Sequence, residues 1–439
     1  MRKILLAGVA TVAMTGVAAA SGLEPTLGSS SSSVIGSSAP GKSVVRLDGY
    51  VFFSGGFATN TLDRAPITAG GVTRRAKNDS FGFLSTFRIY PSFDAQTAGG
   101  FRYGAFAEVR SNNNSGGTGG GVGTGGQRTT NTLFVNRAWG FVGTDKIGQL
   151  RFGTVDGVAS IMRTGTFENE IADGGWNGWA PGMTKGVNPY RFSVGGGYEY
   201  SSQKITYLSP TWSGFQVGFS FAPSSASNQS GDGNATGAGG STRQSASALA
   251  SDLGRVRNLF EVAARYTGTF GGFGTQLHAG YIGSQAIRNV GGLGVNGGLT
   301  PRGLSVVTAG ATVSYMGFIA GGYMNTGTVN NNFTPLNPGE KSSMVYTLGG
   351  GYTQGPWAAG VAYTNASQAG ALGNGAKRVD SGWAAGVTYT YVPGARLFVE
   401  FVTGTAKERG VNLSNDVLPA GTTKAINSTA VILGNSFRW

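Results

Sequence analysis

Four carboxylates, Asp156, Glu168, Glu170 and Asp173, stand in one segment, 155–197, that lacks any strand pattern and also carries Trp176, Trp179 and several glycines. Arginines precede it at Arg88, Arg102, Arg110, Arg137 and Arg151. Opposite charges held apart across water make a transverse field that orients polar solutes without bonding to them; unit charges about 4 Å apart interact by roughly 1 to 4 kcal/mol in watery surroundings. The same acids could ligate calcium, but their spacing lacks the regular ligand alternation and turn glycine of a calcium loop. The chain has one histidine, His278. A Ser–His hydrolase needs a positioned serine and an orienting acid beside it, and neither stands nearby. The glycine tract 116–126 lacks the Lys-Ser/Thr that completes a phosphate loop. With no cysteine in the chain, disulfides and thiolate metal sites are excluded. The residues point to sorting of solutes, with no cofactor, rather than to bond-making.

The elements that must hold these charges alternate at 180° per residue, the signature of strands. Val45, Leu47, Gly49, Val51 and Phe53 oppose Arg46, Asp48, Tyr50 and Phe52. Phe81, Phe83, Phe87, Ile89 and Phe93 oppose Gly82, Leu84, Thr86, Arg88 and Tyr90, and Phe101, Tyr103, Ala105, Ala107 and Val109 oppose Arg102, Gly104, Phe106, Glu108 and Arg110. The five arginines thus project from four successive strands, about 4.8 Å apart, and form one basic wall. Arg137 in the same register brings Trp139 and Phe141 inward with it, which calls for a bulge or for a subunit contact in which Ala138 and Gly140 allow close packing. His278 shares a face with Gln276 and Gly280, opposite Leu277 and Ala279.

Connections carry more information than single strands. Short turns fall at 94–100, 144–148, 209–214, 269–272, 316–317, 355–356 and 392–394. Between them lie long loops at 58–78, 112–131, 155–197, 223–254, 286–303, 328–341, 368–379 and 408–424. Short turns at one end, long loops at the other and sixteen strands describe an all-β, antiparallel transmembrane barrel, whose third external loop is the acidic segment folded into the lumen. Only a closed barrel lets strands satisfy their own backbone groups in lipid, and sixteen strands leave a lumen that side chains alone cannot fill. Aromatics gather by the short turns, at Phe93, Phe101, Trp212, Phe215, Phe270, Phe273, Tyr315, Phe318, Trp357 and Tyr391, as an interface girdle requires.

Bulk composition agrees. Only 12% of the residues are charged and 78 are glycine, without a three-residue period. The formal charge of +13 is scattered rather than gathered into a patch, which argues against nucleic acid. Arg2 and Lys3 precede an apolar run that ends at Ala18-Ala19-Ala20, so residues 1–20 read as a secretory signal. Residues 21–42 form a Ser/Gly-rich mature N-terminal segment, and 43–439 the barrel.

Taken together, the chain resembles the general porins of Gram-negative bacteria, most closely their alpha-proteobacterial branch. The resemblance rests on the start Val45-Arg46-Leu47-Asp48-Gly49-Tyr50-Val51, on Asn136-Arg137-Ala138-Trp139, and on the turn Tyr207-Leu208-Ser209-Pro210-Thr211-Trp212-Ser213-Gly214-Phe215. It implies a homotrimer in the outer membrane, amid lipid and lipopolysaccharide, passing small hydrophilic solutes and ions. It also implies that Phe167-Glu168-Asn169-Glu170 is the acidic part of a constriction loop facing the arginine wall. Phe437 and Trp439, on one face of the last strand, would be read by the barrel-assembly machinery, with Trp439 where the family usually has Phe. A substrate-selective channel for an anion or a sugar would instead line its lumen with one charge sign or an aromatic ladder. An outer-membrane enzyme would need the nucleophile–base set that is missing above.

Overall fold

In this computed structural model, residues 39–64, 66–69, 72–75, 79–111, 133–167, 183–184, 186–189, 202–224, 256–286, 300–330, 335–371, 374–414, 418–419 and 421–439 are described. Residues 1–38, with the expected signal and most of the expected N-terminal segment, lie outside them, as do Glu168, Glu170 and Asp173.

The chain begins with β1 (Lys42–Asn60), then a small ribbon of β2 (Pro66–Ala69) and β3 (Val72–Arg75). Next come β4 (Phe81–Gln96), β5 (Arg102–Ser111), β6 (Leu133–Thr144), β7 (Gly148–Val155), β8 (Ser202–Leu208) and β9 (Phe215–Ser224). The second half holds β10 (Val256–Phe270), β11 (Phe273–Ala286), β12 (Ser305–Tyr315), β13 (Phe318–Thr328) and β14 (Ser343–Gln354). It ends with β15 (Trp357–Ala369), β16 (Lys377–Val392), β17 (Ala395–Glu408) and β18 (Ile426–Arg438). Sixteen of these, all but β2 and β3, close into one antiparallel barrel in which each strand pairs with its neighbour in the chain and β1 pairs with β18. All seven expected short turns fall between paired strands. No helix among the described residues is long and apolar enough to cross a membrane.

Closure turns the usual inside and outside over. Phe53, Phe219, Val262, Trp383 and Val399 stand exposed on the outer face, whereas their strand neighbours are buried. In lipid an apolar outer face costs nothing, and every ladder hydrogen bond is made within the sheet. Toward the short turns, aromatic rings pair across strands on that face. Phe215 meets Tyr266 at 4.6 Å between centroids, Phe273 meets Tyr315 at 4.5 Å, Phe318 meets Tyr352 at 4.3 Å and Trp357 meets Tyr389 at 4.4 Å.

The doubtful register at Arg137 is settled by a bulge. Glu108 pairs with Arg137 but Val109 pairs with Val135, so Asn136 is the extra residue on β6. Strict alternation from Arg137 would turn Val135 and Leu133 into the lumen. The inserted Asn136 resets the phase, so Leu133 and Val135 stay exposed while Arg137, Trp139 and Phe141 are buried.

Candidate functional site

At mid-height of the barrel a group of charges is gathered on β4, β5 and β6. Its centre is Glu108, fully buried, which the sequence reading placed on the inner face without giving it a role. Arg110 Nε donates to Glu108 Oε1 at 2.5 Å, and Arg137 Nε and Asn136 Nδ2 donate to Oε2 at 2.7 and 3.0 Å. Arg88 Nη1 lies 3.8 Å from the same carboxylate. Arg137 is also buried and donates through Nη1 to Asp156, the first residue after β7. Asp156 is thereby joined to Arg137, and a wall acid holds three of the arginines together.

A buried guanidinium between two carboxylates is stable only because its donors are used on both sides. Arg88 and Arg110 keep about a fifth of their side-chain surface or less in contact with solvent, at 16% and 19%, and are the members of the belt that meet water.

Arg102 and Arg151 are not in this belt. Arg102 lies at the short-turn end, 3.4 Å from Asp145. Arg151 is buried, with its guanidinium 4.7 Å from the Trp139 ring centroid and its Nε donating to Gln149 Oε1 at 2.9 Å. Between them and the belt runs a shelf of inward aromatics: Tyr90 and Phe106 stack at 6.1 Å, Phe106 and Trp139 at 5.4 Å, and Trp139 meets Phe141 at 6.0 Å. On the other side of the closure Phe52 stacks on Phe398 at 5.3 Å. The inner face here is thus part charged and part aromatic, with Phe52, Tyr90, Phe106, Trp139 and Phe141 among the buried residues. These rings are buried by their neighbours, so they fill the concave wall rather than offer faces to the passage.

The segment after β7 continues along the inside of the wall. Thr206 Oγ1 donates to the Asp156 carbonyl at 3.3 Å, and Val158 N–H donates to Ser220 Oγ at 2.9 Å. A helical turn, α1 (Val158–Ile161), follows. The Ala159 N–H donates to Glu261 Oε2 at 3.0 Å, and Lys204 Nζ stands 3.4 Å from Glu261 Oε1. A Cβ on Gly157 would overlap that carboxylate, so only glycine lets the chain pass this close. Further on, Thr164 Oγ1 donates to Gln276 Oε1 at 3.1 Å on β11, Gly165 abuts the backbone of β12 and β13, and Phe167 packs with Ile319 and Ala362 over Gly349. Residues 156–167 therefore reach from β7 to β15 along inward-facing side chains. At the far side, Asn60 Nδ2 donates to the Thr184 carbonyl at 2.9 Å, Arg378 Nη2 donates to the Gly186 carbonyl at 2.6 Å, and Val187 joins the core cluster with Ile426.

His278 is buried, with Nε2 2.9 Å from Thr308 Oγ1 and no serine–acid pair about it among the described contacts. Among the described residues no group of histidine and acidic side chains could hold a metal ion. At the chain end, Phe437 and Trp439 lie exposed on the outer face, as their spacing implies.

A family model of the Gram-negative porins matches residues 7–409. The chain belongs to the Gram-negative porin family. It is an outer-membrane β-barrel channel for passive diffusion of small hydrophilic solutes and ions. The barrel of this porin is similar to an anion-selective porin from Comamonas acidovorans at 15% identity, covering 91% of this chain and 100% of that one with a TM-score of 0.55. It is also similar to OmpT of Vibrio cholerae in its trimer form, at 13% identity over 90% and 99% of the two chains, TM-score 0.52. A triple mutant of the Rhodopseudomonas blastica porin aligns at 14% identity over 90% and 100%, TM-score 0.50. Each likeness is one of fold. No curated protein matches the chain.

Proposed function

We propose that this porin is a general filter whose narrowest passage lies at mid-height, between the arginine wall and segment 155–197. The observation that carries this reading is the Arg137–Asp156 ion pair, which ties the start of the segment to the wall across the lumen side of β6 and β7. Glu168, Glu170 and Asp173 extend the acidic side of the gap, and Arg88 and Arg110 supply its watery basic side. The transverse field so formed orients small polar solutes and disfavours large apolar ones, which must displace ordered water. It is too weak to trap a solute, so passage rather than binding or catalysis is its work.

Two features support a homotrimer, and residues 1–20 are taken as its leader and 21–42 as the mature N-terminal segment. The outer face of β5 and β6 is flattened by Ala105, Ala107, Ala138 and Gly140, which suits a second copy more than lipid. The OmpT structure above is described as a trimer form. Lipid and lipopolysaccharide then cover the remaining apolar face, and Phe437 and Trp439 present the last strand to the assembly machinery.

A second reading, an anion-selective channel, draws on the belt, where three guanidiniums face two carboxylates. A sugar track fits less well, because its rings must offer free faces and Phe52, Trp139 and Phe141 do not. Zero-current potentials of the purified porin in planar bilayers under a salt gradient separate these. A weak preference that follows bulk ion mobilities supports the general filter, and a strong anion preference replaces it by the selective channel.

A further inference from the structure

On the short-turn side of the aromatic shelf, beneath the helical turn α1, the wall carries a half-open cavity of about 460 Å³. Three guanidiniums line it, from Arg102, Arg151 and Arg265, together with Gln149, Gln216 and Thr211. Asp145 is the one carboxylate among the described lining residues, and it sits at the rim with most of its side chain in solvent. Arg265 is held in place by Gln216 Oε1, which accepts from Nη2 at 2.9 Å, and by the Ile161 carbonyl, 3.5 Å from Nη1.

Arg151 is the unusual member. It is fully buried, its Nε is used by Gln149, and one side of its plane is backed by Trp139. Its two terminal nitrogens are buried without any hydrogen-bond partner. Buried polar groups are hydrogen-bonded almost without exception, and a charged one left unused is costly. A planar fork in the wall of a basic cavity, with two donors that no protein group uses, has the chemistry to take a bidentate oxyanion.

We propose that this cavity binds a small oxyanion of the phosphate type, with Arg151 as the bidentate anchor and Arg265 and Arg102 as flanking charges. The cavity reaches turns 144–148 and 209–214, so the anion enters from the short-turn mouth. Its arginines are not those of the mid-height belt, which are occupied by Glu108 and Asp156, although Asp156 lies within electrostatic reach of Arg151. The site gives the porin a solute class that it holds briefly on one side of its passage. The proposal rests on the channel reading given above.

The test uses inorganic phosphate on the intact porin in planar bilayers at constant ionic strength. The expected result is a saturable fall in potassium chloride conductance as phosphate replaces chloride, with half-saturation raised about tenfold in Arg151→Lys, which keeps the charge but loses the fork. Arg265→Lys, a second variant for the case in which Arg151→Lys does not insert, should raise it in the same direction. A wild-type porin that conducts chloride but shows only a linear response to phosphate overturns the oxyanion site and leaves the channel intact. Unchanged half-saturation in either inserted variant overturns it too. A porin that inserts and conducts nothing overturns the channel reading itself.

Discussion

Gly49 and Trp439 close the barrel. The Gly49 N–H donates to the Trp439 carbonyl at 3.0 Å, and the Trp439 N–H donates back to the Gly49 carbonyl at 3.3 Å. The indole lies flat over the glycine on the outer face, where any Cβ at position 49 would overlap the ring. Gly49→Val should therefore push the last residue off β1. Overpacking of this kind costs about 1 to 3 kcal/mol. The temperature at which the folded form converts to the unfolded form on detergent gels should fall, and Trp439→Ala in the same chain should restore part of the loss. An unchanged transition temperature in Gly49→Val would show that the ring contributes nothing to closure.

Deleting Trp439 alone removes both hydrogen bonds and the outer aromatic of β18. Phe437 remains on the same face, against Val51 and Ala395. Trimer should appear more slowly in the outer membrane of cells expressing the truncated chain. Pulse-chase yields equal to wild type would remove the assembly role of this residue.

Arg137 is buried between Glu108 and Asp156. Arg137→Gln leaves two carboxylates facing each other in the wall, and breaking a buried pair in this way costs about 3 to 5 kcal/mol. The variant should unfold at lower denaturant than wild type. Adding Asp156→Asn removes one of the stranded charges and should recover part of the difference. If the double variant is no more stable than the single one, the two acids do not share Arg137.

The filter is tested through the charges that meet water. Arg88→Gln with Arg110→Gln should lower the anion-to-cation permeability ratio, and Glu168→Gln with Glu170→Gln should raise it. Zero-current potentials in a salt gradient report both. Shifts of the same sign in the two double variants would be incompatible with a passage between these groups.

Glu261 fastens the start of the loop three strands away from where it leaves the wall. Glu261→Gln keeps an acceptor for the Ala159 N–H but discards the ion pair with Lys204. Its single-channel current should be noisier at unchanged trimer yield, whereas Gly157→Val, which cannot avoid the carboxylate, should also lose conductance steps of normal size. A quiet, wild-type current record for both would mean that this anchor does not control the passage.

Much of this protein is decided by the local chain. The period-two alternation of Val45 to Phe53, the short turns with their glycines, and the long polar connections between them specify strands, their order and the end of the barrel at which each loop lies. Those features are local because a strand's two faces are fixed by its pleat and a turn by a few residues. The arginines of β4 to β7 were legible as inward for the same reason. Their grouping was not. The register at Arg137 calls for a bulge or a subunit contact without choosing between them; the bulge at Asn136 places Arg137 on Glu108, and Glu108 becomes the centre of the belt only once β4, β5 and β6 lie side by side. Likewise nothing near Arg151 in sequence separates it from Arg88, but closure sets a shelf of Tyr90, Phe106 and Trp139 between them. Glu261 meets Ala159 across about a hundred residues, a contact made only when the loop turns back inside the closed sheet. Alternation determines which face a residue takes; only closure determines its height, its partners across strands and the water left to it.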